Sequence, residues 1–177
     1  MNITLYGAAS DRIQELYVKA TEELGFEMAK RGHTMVFGAG STGYMGAAAR
    51  GMHKGGGRII GVTPHFMHKL EPVSELCTEL IATETMAERK TIMEQKADAF
   101  VIVPGGIGTF DEFFQILTLK VLGRHNKPII LYNIKGFWNG MLAVIKECVD
   151  KGFVAPEALA DFCLCDTPEE VFDVLEK

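Results

Sequence analysis

Ala99–Thr118, reading AFVIVPGGIGTFDEFFQILT, decides the fold. Ala99-Phe100-Val101-Ile102-Val103 is a continuous apolar run, the pattern of a strand buried on both faces. Pro104 ends the run because it cannot donate a ladder hydrogen bond. Gly105, Gly106 and Gly108 let the backbone turn tightly and approach another group closely. From Thr109 the spacing predicts a helix with Phe110, Phe113, Phe114 and Leu117 on one side. A strand, a glycine turn and a helix start together make an anion site, with unpaired N–H groups and the positive dipole end aimed at one point. Two acids, Asp111 and Glu112, are expected in that first turn. The spacing of Thr109 and Glu112 also fits a capping box, in which Glu112 would only reach back to the Thr109 N–H.

The flanking chain alternates in the same way. Asn2–Tyr6 reads as a first strand, followed by the small-residue turn Gly7-Ala8-Ala9-Ser10. A helix is predicted from about Asp11, with Ile13, Leu16, Tyr17, Ala20, Leu24 and Met28 on one face, ending at Gly32. Thr34–Phe37 is a second strand, then come the glycine-rich Gly38–Gly46 and a small-residue helix through Lys54. Arg58–Thr63 is a third strand, stopped by Pro64. Residues from His65 to Glu79 read as irregular, Glu79–Thr83 as a strand and Glu84–Lys96 as a helix. Beyond the central unit come a strand at Pro128–Tyr132, an amphipathic helix at Phe137–Lys151 and a strand at Phe162–Cys165. A capping box at Thr167-Pro168-Glu169-Glu170 starts the last helix. Strands alternating with helices predict a doubly wound, Rossmann-like α/β fold: a mostly parallel sheet with helices on both faces. No linker, repeat or low-complexity stretch divides residues 1–177, so one domain is expected.

Composition narrows the function. The 177 residues are 47% hydrophobic, enough for a sizeable core. A net charge of -5 argues against nucleic acid as a bulk electrostatic partner. No apolar run is long enough to span a bilayer, and the start MNITLYGAAS lacks a basic segment followed by an apolar one, so a cytoplasmic protein is expected. Cys77, Cys148, Cys163 and Cys165 have no metal-ligand spacing and read as reduced, mostly buried small hydrophobes. His53, His65, His68 and His125 are scattered, and no metal site is assigned. Trp138 reads as core.

In such folds ligands bind outside the carboxyl ends of the strands, where three glycine-bearing turns fall: Gly7–Ser10, Gly38–Gly46 and Gly105–Thr109. Gly38-Ala39-Gly40-Ser41-Thr42-Gly43 matches G-x-G-x-x-G after a strand. A dinucleotide site also needs an acid for the ribose about 20 residues on, and the next strand ends without one before Glu71. A Walker loop is absent too. A mononucleotide or sugar phosphate fits what remains. Arg89 and Lys90 lie among Glu84, Glu88 and Glu94, where surface ion pairing is the default, yet Met86 and Met93 form an apolar stripe that points Arg89 towards the sheet.

Pro104-Gly105-Gly106-Ile107-Gly108-Thr109-Phe110-Asp111-Glu112 resembles the PGGxGTxxE motif of the Lonely Guy family of nucleoside 5′-monophosphate phosphoribohydrolases. Arg89-Lys90 behind Met86 is similar to that family's Arg-Lys pair. Gly38–Gly46 (GAGSTGYMG) is similar to its GGGxxGLMG turn, Gly61-Val62-Thr63-Pro64 to its GVIP and Gly123–Pro128 (GRHNKP) to its LGxHxKP. The similarity runs over nearly the whole chain. Two positions depart from the pattern: the first turn lacks the family's GSS, leaving Ser10 alone to supply a hydroxyl, and Ala87 stands where a histidine is common. Family proteins have often been labelled lysine decarboxylases, but no lysine here has a pyridoxal-phosphate setting.

The resemblance implies hydrolysis of the N-glycosidic bond of a purine nucleoside monophosphate, such as AMP or a cytokinin ribotide, to free base and ribose 5-phosphate, without a cofactor. It implies substrate contacts at Glu71, Arg89, Lys90, Gly105, Gly106, Ile107, Gly108, Thr109 and Thr118, and a homodimer or higher homo-oligomer with the site near the interface. Glu112 is expected to stabilise an oxocarbenium-like sugar, with Arg89 holding ribose or phosphate. The phosphate is expected on the main-chain N–H groups of Gly105–Thr109 and of the turn carrying Gly40, Gly43, Met45 and Gly46. The helix start is expected to keep Glu112 ionised. A carrier similar to molybdenum-cofactor proteins, binding without cleavage, is the alternative from another class, and an NAD-dependent oxidoreductase is disfavoured by the missing acid.

Overall fold

The computed structural model describes residues 1–10 and 12–177. The strands are β1 (Asn2–Tyr6), β2 (Thr34–Phe37), β3 (Arg58–Pro64), β4 (Glu79–Thr83), β5 (Ala99–Ile102), β6 (Ile129–Tyr132) and β7 (Cys163–Cys165). The helices are α1 (Glu15–Lys30), α2 (Gly43–Lys54), α3 (Met86–Lys96), α4 (Ile107–Val121), α5 (Asn139–Asp150) and α6 (Pro168–Leu175). All seven strands pair in parallel in one sheet, in the order β4-β3-β2-β1-β5-β6-β7. The doubly wound expectation therefore holds.

Strand alternation builds the two layers. On β1, Ile3 and Leu5 face one layer with Leu24 and Met28 of α1, Ala48 and Met52 of α2, and Val171 and Phe172 of α6. Tyr6 points to the other face, with Met93 of α3, Phe113 and Ile116 of α4, Trp138, and Ile145 of α5. β5 is buried throughout because helices cover both its faces. The chain runs outward from β1 to β4 and then returns to the other side of β1 as β5, so the direction of winding reverses between β1 and β5. Their carboxyl ends frame the crevice where ligands sit in such sheets.

Several boundaries differ from the expectation. The predicted start of the first helix at Asp11 lies outside the described residues, and α1 spans Glu15–Lys30 with Leu16 exposed. Pro64 does not stop β3 but forms its last residue, in register with Thr83. The irregular stretch after it contains a short 3-10 helix at His65–Lys69. Only Cys165 of the four cysteines is buried. Trp138 is core, as expected.

The most consequential shift concerns α4. Its N-cap is Gly106, with no side-chain cap, and its first turn holds no acid. Asp111 and Glu112 therefore lie one turn further along, and the capping-box role for Glu112 does not arise. Glycine carries no side chain to compete for the first N–H groups, so the helix starts as early as backbone geometry allows. The apolar side of α4 also divides: Phe113, Ile116 and Leu117 are buried, whereas Phe114 is 42% exposed. Phe113 packs edge-on against Phe162, ring centroids 5.6 Å apart, and seats α4 on the sheet. Phe113→Ala should lower unfolding free energy by about 3–5 kcal/mol. Chemical denaturation tests this, and a loss below about 1 kcal/mol would show that α4 is not anchored through this ring.

Candidate active site

A cavity of about 390 Å³ opens at the β1/β5 crevice. It is lined by the β1 turn (Gly7, Ala8, Ala9, Ser10), by Gly38 and Met45, by Glu71, by Met86, Arg89, Lys90 and Met93 of α3, and by Gly106, Gly108, Thr109, Asp111 and Glu112 of the α4 start. Most of the positions picked out in the sequence thus converge on one hollow. Gly105 lies just behind it, pressed against the Thr109 side chain so closely that a Cβ would overlap it.

Arg89 is 8% exposed. Its Nε donates to the Val62 carbonyl at 3.2 Å and Nη1 lies 3.8 Å from the Met86 sulfur. The surface-pairing alternative for Arg89 therefore fails: the side chain runs inward, under the end of β3. Gly38 makes room for it, since a Cβ there would overlap Nη2. Nη2 stands 4.0 Å from Glu112 Oε1, a loose pair in which both side chains are nearly enclosed. Lys90 Nζ donates to Asp111 Oδ2 at 2.9 Å across the rim, joining α3 to α4.

Burial pushes the Glu112 carboxyl up to about 7, opposed by the Arg89 charge and reinforced by Asp111. This corrects the expectation that the helix start holds Glu112 ionised. One turn into α4 the backbone N–H groups are already committed to the helix, and the effect of the dipole falls off within that first turn. Desolvation wins. Tyr6, another lining residue, is shifted further upward by burial and by the Glu112 charge, so its hydroxyl stays protonated.

The two glycine turns are not equivalent. At Gly106 and Gly108 a Cβ would meet nothing within 4 Å, and both glycines line the cavity. The α2 turn is instead stitched to the β1 turn. Tyr44 N donates to Ala8 O at 2.9 Å, and the Thr42 hydroxyl donates to Ala9 O at 2.7 Å. Gly43, at φ +57°, packs directly on the Ala8–Ser10 backbone. Gly40, Gly43 and Gly46 do not line the cavity and Met45 does, and the α2 turn braces the β1 turn.

Glu71 reaches the cavity on a strap that pairs with the β2 turn: Gly40 and Val73 form an antiparallel bridge, Ser41 N donates to Pro72 O at 3.1 Å and Ser74 N to Ala39 O at 2.8 Å. Thr118 and Ile107 are not brought in. Thr118 lies on the outer side of α4 in a separate apolar groove, and Ile107 is 86% exposed. Sequence reasoning missed Tyr6 and Gly38. Their place as the last residue of β1 and the first after β2, at carboxyl ends beside the crevice, was the available signal. The GRHNKP stretch turns out to be a bracket. His125 Nε2 donates to Ile116 O at 2.9 Å, which leaves Nδ1 to accept from Lys127 N at 3.2 Å, and Lys127 Nζ donates to Glu94 O at 2.7 Å. It clamps α3 against α4, and so Arg89 against Glu112.

A family sequence model described as "Possible lysine decarboxylase" matches residues 45–175. A cytokinin riboside 5′-monophosphate phosphoribohydrolase of Mycobacterium tuberculosis is 38% identical over 95% of this chain and 89% of its own length. A probable enzyme of the same name from Oryza sativa subsp. japonica is 35% identical over 99% of this chain and 72% of its own. One from Arabidopsis thaliana is 34% identical over 99% and 81%. Among solved structures, a molybdenum cofactor carrier protein from Chlamydomonas reinhardtii superposes with a TM-score of 0.76 over 99% of this chain and 95% of that one, at 22% identity, a likeness of fold alone.

The raised proton affinity of Glu112 has a cost for folding. A carboxyl that titrates near 4.5 when unfolded and near 7 when folded binds its proton more tightly in the native state, so stability falls as pH rises through that window. Glu112→Gln should therefore stabilise the protein by about 2–3 kcal/mol at pH 8 and hardly at all at pH 4. Denaturant midpoints at the two values test this, and equal shifts at both would contradict a desolvated carboxyl. Together the matched residues and the curated relatives establish that the chain belongs to the Lonely Guy family.

Proposed function

We propose that this protein hydrolyses the N-glycosidic bond of a purine nucleoside 5′-monophosphate, releasing the free base and ribose 5-phosphate. The observation that carries the reading is the enclosed Arg89–Glu112 pair, 4.0 Å apart, beside an uncapped helix start. The relatives' printed names describe the same reaction class on cytokinin ribotides.

The 5′-phosphate would sit on the open N–H groups at Gly106, Gly108 and Thr109, with Lys90 adding positive charge. The sugar would then lie over Glu112. A carboxylate with its affinity for protons raised towards neutrality suits general-base work. It takes a proton from water as the water oxygen bonds to C1′, and the C1′–N bond breaks with its electron pair leaving on the base, which is then protonated by solvent. The same negative charge stabilises the oxocarbenium-like sugar. Arg89 holds ribose or phosphate oxygens with two N–H groups at once. The fold neighbours that carry molybdenum cofactor share the sheet, but a mere carrier has no use for this pair.

The reading also treats residues 1–177 as one domain acting in the cytoplasm, in keeping with four free thiols. It includes a homodimer. Phe114 and Val121 on α4, Leu122 just after it, Val144 on α5 and Phe153 are exposed and frame, with Thr118, an apolar groove of about 370 Å³. Thr118 lies in this groove, so a second copy seated on it would cover Thr118. Val144→Glu should convert the dimer to monomer in sedimentation experiments, and an unchanged mass would place the interface elsewhere.

Glu112→Gln should abolish adenine release from AMP while leaving nucleotide binding within a few-fold. Arg89→Ala should impair both binding and rate. For the wild type, kcat/KM should fall as pH drops below about 7, where Glu112 takes up its proton. Turnover by Glu112→Gln at the wild-type rate would end the catalytic assignment.

A further inference from the structure

Tyr6 is the last residue of β1 and is 3% exposed. Its ring lies parallel to that of Phe100 on β5, centroids 6.2 Å apart, among the apolar side chains of α3 and α4. A phenylalanine would fill that place as well, so packing gives no reason for the hydroxyl. The hydroxyl has no hydrogen-bond partner among the described residues, and a buried polar group left in that state costs folding free energy. Nor is it sealed in apolar packing, as Trp138 Nε1 is. Tyr6 lines the cavity, and the charge acting most strongly on its hydroxyl is that of Glu112, ahead of Glu94 and Arg89. The hydroxyl therefore belongs to the sheet side of the cavity, close to Glu112.

Glu112 Oε1 and Arg89 Nη2, at 4.0 Å, are too far apart for a direct hydrogen bond. Three enclosed polar groups thus meet without a hydrogen bond between any two of them. Such groups are satisfied in folded proteins by protein or by ordered water, and a water needs two or more polar partners. We propose that Tyr6 is a further catalytic residue, holding the water that attacks C1′: its O–H donates to the water oxygen while the water donates to Glu112. One lone pair of that water is left for C1′. As it forms the bond, the water's proton passes to Glu112 and the electron pair of the C1′–N bond leaves on the base. Tyr6 keeps its own proton throughout. Burial first, and the Glu112 charge second, hold the phenol in its protonated form, which suits a donor that must not ionise.

The inference rests on the hydrolytic reading, and the experiment separates the two. Tyr6→Phe keeps the ring and removes only the hydroxyl. Its kcat for adenine release from AMP should fall about 10–100-fold, because a water out of place is a poorly oriented nucleophile, with AMP affinity unchanged within about threefold. Its thermal midpoint should equal or exceed that of the wild type, since the desolvated hydroxyl adds nothing to packing. A kcat close to that of the wild type would overturn the role of Tyr6 while hydrolysis stands. So would a loss of rate matched by a loss of AMP affinity, or accompanied by a lower midpoint, since these mark a substrate contact or a structural role. A wild-type crystal grown without nucleotide gives a second test that needs no variant. A water about 2.6–3.2 Å from both Tyr6 Oη and a Glu112 carboxylate oxygen is expected, and a well-ordered site without one would overturn the proposal. Should the wild type release no base from AMP or any other purine nucleoside monophosphate, the hydrolytic reading fails, and with it the assignment of that water as nucleophile.

Discussion

The enclosure of two opposite charges, Arg89 and Glu112, at the carboxyl end of a parallel sheet is the constraint on which the rest of the molecule depends. Taking a guanidinium and a carboxylate out of water is expensive, and their mutual attraction offsets this only when geometry is good and the remaining donors are satisfied. Here the pair is held apart at 4.0 Å, with Arg89 satisfied partly by the Val62 carbonyl. The result is a carboxyl pushed up to about 7 and a pair too far apart for a direct hydrogen bond. A tight bidentate pair would be more stable and less useful.

Much of the surrounding architecture serves to keep that gap. Gly38 yields the space that Arg89 occupies, and the His125–Lys127 bracket fixes α3 to α4 from behind. The Lys90–Asp111 pair closes the same two helices at the rim. The β1 and α2 turns are bonded to each other through Tyr44 and Thr42, whereas Gly106 and Gly108 at the α4 start border the cavity. Two glycine-rich turns that look alike as sequence therefore differ in structure, one opening on the cavity and one bracing the β1 turn.

The fold was legible because β5 is short, wholly apolar and bounded by Pro104 and glycines, and because the strand–helix alternation is regular on both sides of it. The convergence of Arg89 with Glu112 was legible only through family resemblance, since 23 residues of sequence give no direct measure of distance in space. Three things were hidden. The early start of α4 at Ile107 depends on Gly106 acting as cap without a side chain, which no preference scale favours over Thr109. The raised proton affinity of Glu112 depends on burial in the folded chain, a tertiary effect. Thr118 and Phe114 follow the helical spacing of the buried stripe yet face outward, because the sheet covers only part of the apolar arc of α4, and the uncovered part is the face on which a second copy is proposed to sit.

The most direct measurement is a crystal structure of the Glu112→Gln protein with AMP bound. The account requires the phosphate on the N–H groups at Gly106, Gly108 and Thr109 and the substituted amide side chain about 3–4 Å from C1′ or from the water facing it. A phosphate seated on the α2 turn, or an anomeric carbon beyond reach of that side chain, would contradict it.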